Sequence, residues 1–509
     1  MSQLKAGALL SYLSIFISIL IALLYTPFMI RILGQSEFGL YSVLGSLAAY
    51  FSVMDMGLGN AMVRFTSRNR AIGNNDSEAR LNGLFLMLYT LIGIITIIVG
   101  VIVYNNVVTL FGSEFSDVEL AKAKLMVIVL TFNFSLSFPL SIFSSIIRAY
   151  ERFVVDKIVS IIRIILSPIL ILPFIYIGFG AVSMVVITTI VNISCLLFNF
   201  YYSIKKLNIK FYFGKIDKSL LMQILGYSFF VFLGVIVDQI NWQTDQIILG
   251  AIRGTAPVAV YAIAMQFIKL YIKFSTSISG LFLPKVSMMV AKNASGDELT
   301  NIMIKFGRIQ YIIVTFILGG FILFGLPFIE FWAGNSYSSA YYIVLIIMLP
   351  LTIPLVQNIG ITILYAKNLQ KFRSLVLILI AISNVLFSIP LAKIYGGIGV
   401  AFATSGTLIV GNIVIMNIYY AKKIGINIIL FWRNLFRLTF VTILSTVIGF
   451  VMHMFILSNS IYILFLEMII FAIIHISILY KLGFNEYENH LFNSVISRIF
   501  KLINKIIKR

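Results

Sequence analysis

Fourteen runs of about 20 mostly apolar residues, separated by short basic tracts, decide what this chain can fold into. A helix of that length matches the roughly 30 Å hydrocarbon core of a bilayer. In lipid each backbone amide of such a run is satisfied inside its own helix. The runs fall near 6–30, 40–63, 81–103, 125–147, 158–177, 181–204, 220–250, 257–284, 309–332, 338–365, 374–392, 396–420, 435–457 and 460–480. With 60% of 509 residues hydrophobic, little sequence remains for a water-soluble catalytic domain. The expected fold is therefore an all-α polytopic membrane protein with about 14 transmembrane helices. Met1 to Lys5 lead directly into the first run without a small-residue cleavage site, so the first span is read as uncleaved. One cysteine, Cys195, permits no disulfide within the chain.

A net charge of +20 would suggest nucleic acid in a soluble protein, but its distribution points to bilayer topology instead. Assigning alternate loops to opposite sides puts 30 of the 38 Lys and Arg residues on one side. The other side carries five, Arg31, Lys122, Lys124, Arg253 and Lys393, and Arg163, Lys269 and Lys273 fall inside spans. Basic loops stay in the cytoplasm, so both termini are expected there. The longest outer loop, Tyr104 to Lys124, is about 20 residues and too short for an outward domain. Past the last span, Phe492, Val495, Ile496, Ile499, Ile503 and Ile506 share one helical stripe. Arg498, Lys501, Lys505, Lys508 and Arg509 lie mostly opposite, the pattern of a basic amphipathic helix on the inner leaflet.

Landmarks recur at nearly one offset. Leu33-Gly34 matches Leu249-Gly250, Pro139 matches Pro354, Tyr150 matches Tyr365, and Asn199-Phe-Tyr-Tyr with Lys205-Lys206 matches Asn417-Ile-Tyr-Tyr with Lys422-Lys423, all 215 to 219 residues apart. The chain is accordingly divided into an N-lobe at 1–212 (helices 1–6), a C-lobe at 213–428 (helices 7–12), an added pair at 429–482 and a tail at 483–509. A six-span repeat keeps its orientation, which makes two pseudo-symmetric lobes about an axis along the membrane normal. Such bundles enclose a cavity and rock about it, as transporters do.

Charges inside spans are costly, about 2.5 to 3.5 kcal/mol each on insertion scales, and need a partner, a cavity or a route to the interface. Asp238 and Asp245 in span 7 are seven residues apart and about 20° short of two turns, so they share a face. Lys269 and Lys273 in span 8 also share one. Asp238 and Lys269 lie at the same depth, roughly 18 Å from the outer end, and can pair. Either this is a structural ion pair, or the four charges line a polar cavity. Asp55, in Met54-Asp55-Met56-Gly57-Leu58-Gly59-Asn60, sits mid-span; it lines the same cavity or caps amides freed by its glycines. Arg64 and Arg163, near span ends, read as snorkelling, with Arg31 a further candidate at an outer end. His453, Glu467 and His475 stand apart in the last pair and are given no role. No Gly-x-x-x-x-Gly-Lys-Ser/Thr loop and no ligand-like His or Cys spacing occurs, so no ATP hydrolysis, cofactor or metal is expected.

Leu33-Gly-Gln-Ser-Glu37-Phe-Gly-Leu-Tyr41, Asp55-Met-Gly-Leu-Gly-Asn with Arg64, and Asp245-Gln-Ile-Ile-Leu-Gly250 followed by Val260-Tyr261 resemble bacterial polysaccharide transporters of the Wzx flippase type. The resemblance covers essentially the whole chain. It implies the multidrug/oligosaccharidyl-lipid/polysaccharide exporter fold and translocation of an undecaprenyl-pyrophosphate-linked oligosaccharide for O-antigen, capsule or exopolysaccharide, by alternating access and not as an enzyme. Relatives hold the anionic sugar-lipid in a cationic cavity, a role that Lys269 and Lys273 match. Asp238 and Asp245 would then pair with them or bind a coupling Na⁺ or H⁺. The expected partners are the lipid-linked oligosaccharide, membrane lipids and a polysaccharide polymerase. Lipid II flippases of the superfamily carry arginines in a first span that here has none, which argues against a peptidoglycan precursor. A multidrug cation antiporter would have twelve spans, and a membrane polymerase or acyltransferase a large outer loop or an intramembrane histidine site.

Overall fold

The computed structural model describes residues 3–214, 218–279, 282–456 and 460–507, which are overwhelmingly helical, with no strand among them. In chain order the helices are α1 (Gln3–Val53), α2 (Leu58–Ile72), α3 (Asn75–Phe111), α4 (Asp117–Ala149), α5 (Phe153–Tyr176) and α6 (Gly180–Lys205). Then come α7 (Lys218–Arg253), α8 (Thr255–Ser279), α9 (Leu283–Ala291), α10 (Gly296–Trp332), α11 (Ser339–Val356) and α12 (Asn358–Ala366). The last are α13 (Gln370–Leu408), α14 (Met416–Tyr419), α15 (Ile428–Phe455), α16 (Ile461–Ile478) and α17 (Glu486–Ile507).

Twelve helical stretches among the described residues are long and apolar enough to cross a bilayer. Two are too long for one crossing: Lys5–Ile72 has 68 residues and Gln370–Ile424 has 55, roughly 100 and 80 Å as helix. Each breaks at a glycine outside helical space, Gly34 at φ 77° and Gly396 at φ 59°. Counting each as two gives the fourteen crossings of an all-α polytopic membrane protein.

Helix ends differ from the apolar runs because the helices outlast the hydrocarbon. The 20-residue outer loop is a five-residue turn, 112–116, since α3 and α4 both extend into it. The basic residues assigned to loops 64–80 and 285–308 mostly stand on α2, α3, α9 and α10. Capping explains the persistence: Ser116 and Glu119 form a reciprocal box at the start of α4, as Ser295 and Glu298 do at α10.

The backbone itself repeats. Left-handed residues occur at Gly34 and Gly254, Gly73 and Asn293, Glu151 and Asn368, Gly180 and Gly396, and Asn208 and Gly425, each pair 216 to 220 residues apart. One landmark shifts in meaning: Gly250 is inside α7, and the turn that corresponds to Gly34 is made at Gly254. Tyr150, just past α4, donates to Glu78 Oε1 at 2.6 Å and lies under the Arg70 guanidinium at 3.8 Å. Burial, then this bond, push its hydroxyl pKa upward.

By packing, the chain forms two compact units, Met1–Ala262 with Val385–Val400, and Ile263–Asn384 with Ala401–Arg509. Helix α7 counts with the first because it packs on α1 and its continuation: Val231 meets Gly57, where no Cβ would fit, and Ser46 bonds to Gln243 at 3.3 Å. The core of the first unit joins α2, α3 and α4 through Met62, Phe85, Tyr89, Phe138 and Ile142. Lipid supplies no hydrophobic drive between helices, so close contact does the work. Gly93 against the Ser135 carbonyl and Gly100 against Thr131 bring α3 and α4 together.

In the second unit Met303, Phe306, Ile359, Ile363, Tyr420 and Phe431 form the main core. Arg308, assigned by sequence to a basic loop, is instead buried in α10. It donates from Nε to Glu488 Oε1 (2.6 Å) and from Nη2 to Glu488 Oε2 (2.8 Å), and also to the carbonyls of Asn434 (2.5 Å) and Gly483 (3.0 Å). This fork fixes the start of α17, the amphipathic tail helix, where Lys305 also sits 3.6 Å over the Tyr487 ring. Lys508 and Arg509 of the tail lie outside the described residues.

The three titratable residues of the last pair are likewise not isolated. His453 Nδ1 meets Glu467 Oε2 at 2.6 Å, and His475 Nδ1 meets Ser445 Oγ at 2.6 Å, two rungs between antiparallel α15 and α16. Sequence spacing hid them because the partners are 14 and 30 residues apart.

Removing Arg308 alone leaves a carboxylate buried at 4% side-chain exposure. The variant Arg308→Met is expected to lose about 3 to 5 kcal/mol, and the double variant Arg308→Met, Glu488→Met to recover most of it. Thermal unfolding of the detergent-solubilised protein checks this; equal losses in single and double variants would refute the account.

Candidate functional site

The intramembrane lysines are placed by the opposite face of their helix. On α8, Ile268, Tyr271 and Ser275 are fully buried. Tyr271 shares a hydrogen bond with Thr352 (2.7 Å), and Ser275 Oγ donates to the Leu355 carbonyl (2.8 Å). That anchoring turns Lys269 and Lys273 together to the accessible face of the second unit. Two ammonium groups one turn apart disfavour each other, and a bound anion would relieve both.

Asp245 and Asp238 have different surroundings although both stand on α7. Asp245 is buried at 2% exposure in the first unit. Its Oδ2 accepts from Tyr261 at 2.8 Å and its Oδ1 from Ser388 at 3.1 Å. The motif residues Asp245 and Tyr261 are thus direct partners. Asp238, two turns earlier, is exposed. Asp55 is not within a helix: residues 54–57 form a turn between α1 and α2, with Met56 at φ 52° and Gly57 at φ 73°. Its Oδ1 accepts from Tyr89 Oη at 2.8 Å, and its carbonyl accepts the Leu58 amide at 2.9 Å.

The arginines divide. Arg64 is exposed on α2 with its guanidinium 5.0 Å from the Tyr227 ring, and Arg31 is exposed three residues before the Gly34 break. Arg163 is half-buried on α5, with Nε turned inward and, among the described residues, no acceptor for it.

Sequence reasoning quoted the stretch Leu33 to Tyr41 as a signature without seeing what it builds. After the Gly34 break, Glu37 pairs with Lys122 of α4 and accepts the Ala181 amide of α6 at 2.8 Å. Ser36 donates to Glu119 Oε1 (2.6 Å), which also accepts from Thr255 of α8 (2.7 Å). Gly39 is required for contact: a Cβ there would stand 1.8 Å from the Thr255 carbonyl oxygen. The signature therefore clamps four helices at one end of the first unit, and Arg253 ties α7 to the same unit through the Ala392 (3.1 Å) and Ile394 (3.3 Å) carbonyls.

Comparison with known proteins gives the family and the fold. The sequence model of the family described as polysaccharide biosynthesis protein matches residues 4–290. The uncharacterized membrane protein EpsK of Bacillus subtilis (strain 168) is 24% identical over 438 residues, 80% of this chain and 81% of that one. The lipid II flippase MurJ in an inward closed conformation aligns with a TM-score of 0.71 at 18% identity, over 93% of this chain and 98% of its own. An inward-facing multidrug resistance MATE transporter of the MOP superfamily gives 0.60 at 14% identity, over 79% and 97%. A MOP superfamily transporter from Pyrococcus furiosus gives 0.56 at 15%, over 84% and 96%. Likeness at these identities establishes a common fold.

Gly39→Ala is expected to cost about 1 to 3 kcal/mol because Thr255 backbone must move, whereas Gly45→Ala on the same helix meets nothing within 4 Å. Melting temperatures of the two variants in detergent check the difference, and equal values would remove the close contact from the account.

Proposed function

Because the chain belongs to the polysaccharide biosynthesis protein family, we propose that it is a flippase for an undecaprenyl-pyrophosphate-linked oligosaccharide, serving assembly of a surface polysaccharide such as O-antigen, capsule or exopolysaccharide. The observation that carries this reading is the pair Lys269 and Lys273 on one accessible face of α8. A pyrophosphate head must cross roughly 30 Å of hydrocarbon, where uncompensated charge is prohibitive. Fixed ammonium groups lower that cost, and the polyprenyl tail needs no such help because it stays in lipid. Alternating access then exposes the held head first to one side and then to the other.

Asp245, presented on the Tyr261 and Ser388 hydroxyls, is the carboxylate assigned to a coupling Na⁺ or H⁺, with Asp238 the second candidate on the same helix. The product emerges on the outer face, where a polysaccharide polymerase consumes it. The fold of the lipid II flippase supports transport of a lipid-linked head in general; the absence of basic residues from 6–30 separates this chain from the peptidoglycan precursor.

Surface polysaccharide in a flippase-deficient strain, with membrane protein quantified, is the test. Lys269→Ala with Lys273→Ala is expected to abolish most export at normal protein level, and Arg at either position to retain part of it. Normal export from the double alanine variant would remove the lysines from the mechanism.

Both termini are assigned to the cytoplasm from the distribution of basic residues. On a Cys195→Ser background, a cysteine at Ser113 is expected to react with an impermeant thiol reagent in whole cells, and one at Asn75 to be silent. The reverse pattern would invert the orientation.

A further inference from the structure

A groove of about 350 Å³ runs along the line where α3 meets α4, separate from the lysines of α8. Its floor is the close contact of Gly100 with Thr131, where a Cβ would stand 2.1 Å from the threonine hydroxyl. Its walls are Val101, Ile128 and Phe132, which are 53%, 51% and 55% exposed although they lie in the middle of membrane-crossing helices. Surface of that kind faces lipid, and the missing side chain at Gly100 deepens it into a channel. The lining is hydrocarbon apart from Tyr104 and the Thr131 and Ser135 hydroxyls, which donate to the Val127 and Phe132 carbonyls of their own helix.

One end of the groove is chemically different. Tyr104 lines it there, and the Lys124 ammonium stands over the Tyr104 ring at 5.7 Å. Tyr104 is seven residues before the end of α3 and Lys124 seven after the start of α4, so both lie roughly 10 Å from the α3–α4 turn. An aromatic hydroxyl and an amphipathic cation at that depth are the residues of the headgroup belt. The neighbouring Lys122 is taken by Glu37, and Glu119 by Ser116, Ser36 and Thr255. The Lys124 ammonium instead meets Tyr104, a residue of the groove lining.

We propose that this groove is a binding site for an anionic glycerophospholipid, one acyl chain lying along Gly100 and Thr131 and the phosphate at Lys124. Apolar walls that end in a cation match a lipid whose chain ends in an anion; a zwitterionic lipid brings its own ammonium and gains less from Lys124. The occupant holds α3 and α4 at their shared face, beside the Glu37 and Glu119 clamp.

Native mass spectrometry of the detergent-solubilised full chain tests this with phosphatidylglycerol and phosphatidylethanolamine of identical chains. One phosphatidylglycerol is expected to be retained under conditions that strip phosphatidylethanolamine. Lys124→Gln should lower phosphatidylglycerol retention roughly fivefold and bring the two lipids level, while Lys124→Arg keeps the preference. Ile128→Trp, which fills the groove from a lipid-facing position and is checked for an unchanged melting temperature, should abolish retention of the single lipid. Wild-type retention by both Lys124→Gln and Ile128→Trp would overturn the site. Displacement of phosphatidylglycerol by equimolar decaprenyl phosphate would overturn the assignment of the occupant in favour of a polyprenyl chain.

Discussion

A charged or polar group buried between helices must find a partner, and that requirement organises this structure more than apolar packing does. Apolar side chains gain nothing by leaving lipid for each other, so they fill space without choosing neighbours. The polar groups choose. Glu37 with Lys122, Glu119 with Ser36 and Thr255, and Asp245 with Tyr261 and Ser388 fix the first unit. Arg308 with Glu488 and His453 with Glu467 do the same in the second. They span separations from 14 residues, for His453 and Glu467, to 180, for Arg308 and Glu488. Lys269 and Lys273 differ in kind, since their helix is fixed by its other face and leaves them accessible.

Breaks in the helices carry the second constraint. Residues with positive φ reverse or redirect the chain, and their recurrence 216 to 220 residues apart means that both halves turn at matching places. Two of the five pairs are glycine with glycine, two are glycine with asparagine, and one is Glu151 with Asn368. Asparagine tolerates this region well, and glutamate does so only where surrounding contacts enforce it. The turn after α7 falls at Gly254, four residues beyond the Gly250 that sequence matched to Gly34.

The sequence by itself determined the all-α polytopic architecture, the number of crossings and the presence of charges that demand explanation. Those follow from the length of apolar runs against a fixed bilayer thickness, a local property that needs no knowledge of neighbours. Placement of Lys269 and Lys273 on one face was equally local, because four residues span about one turn. Tertiary structure alone decided which charge meets which. Arg308 read as one of many basic residues beside a span until Glu488, 180 residues later, was brought to it. The histidines of the last pair looked solitary because their partners sit on the antiparallel neighbour. Helix ends also escaped the reading, since capping boxes and polar contacts carry helices beyond the hydrocarbon where hydropathy stops reporting. Periodicity fixes what one helix shows to its surroundings; only packing fixes what the surroundings are.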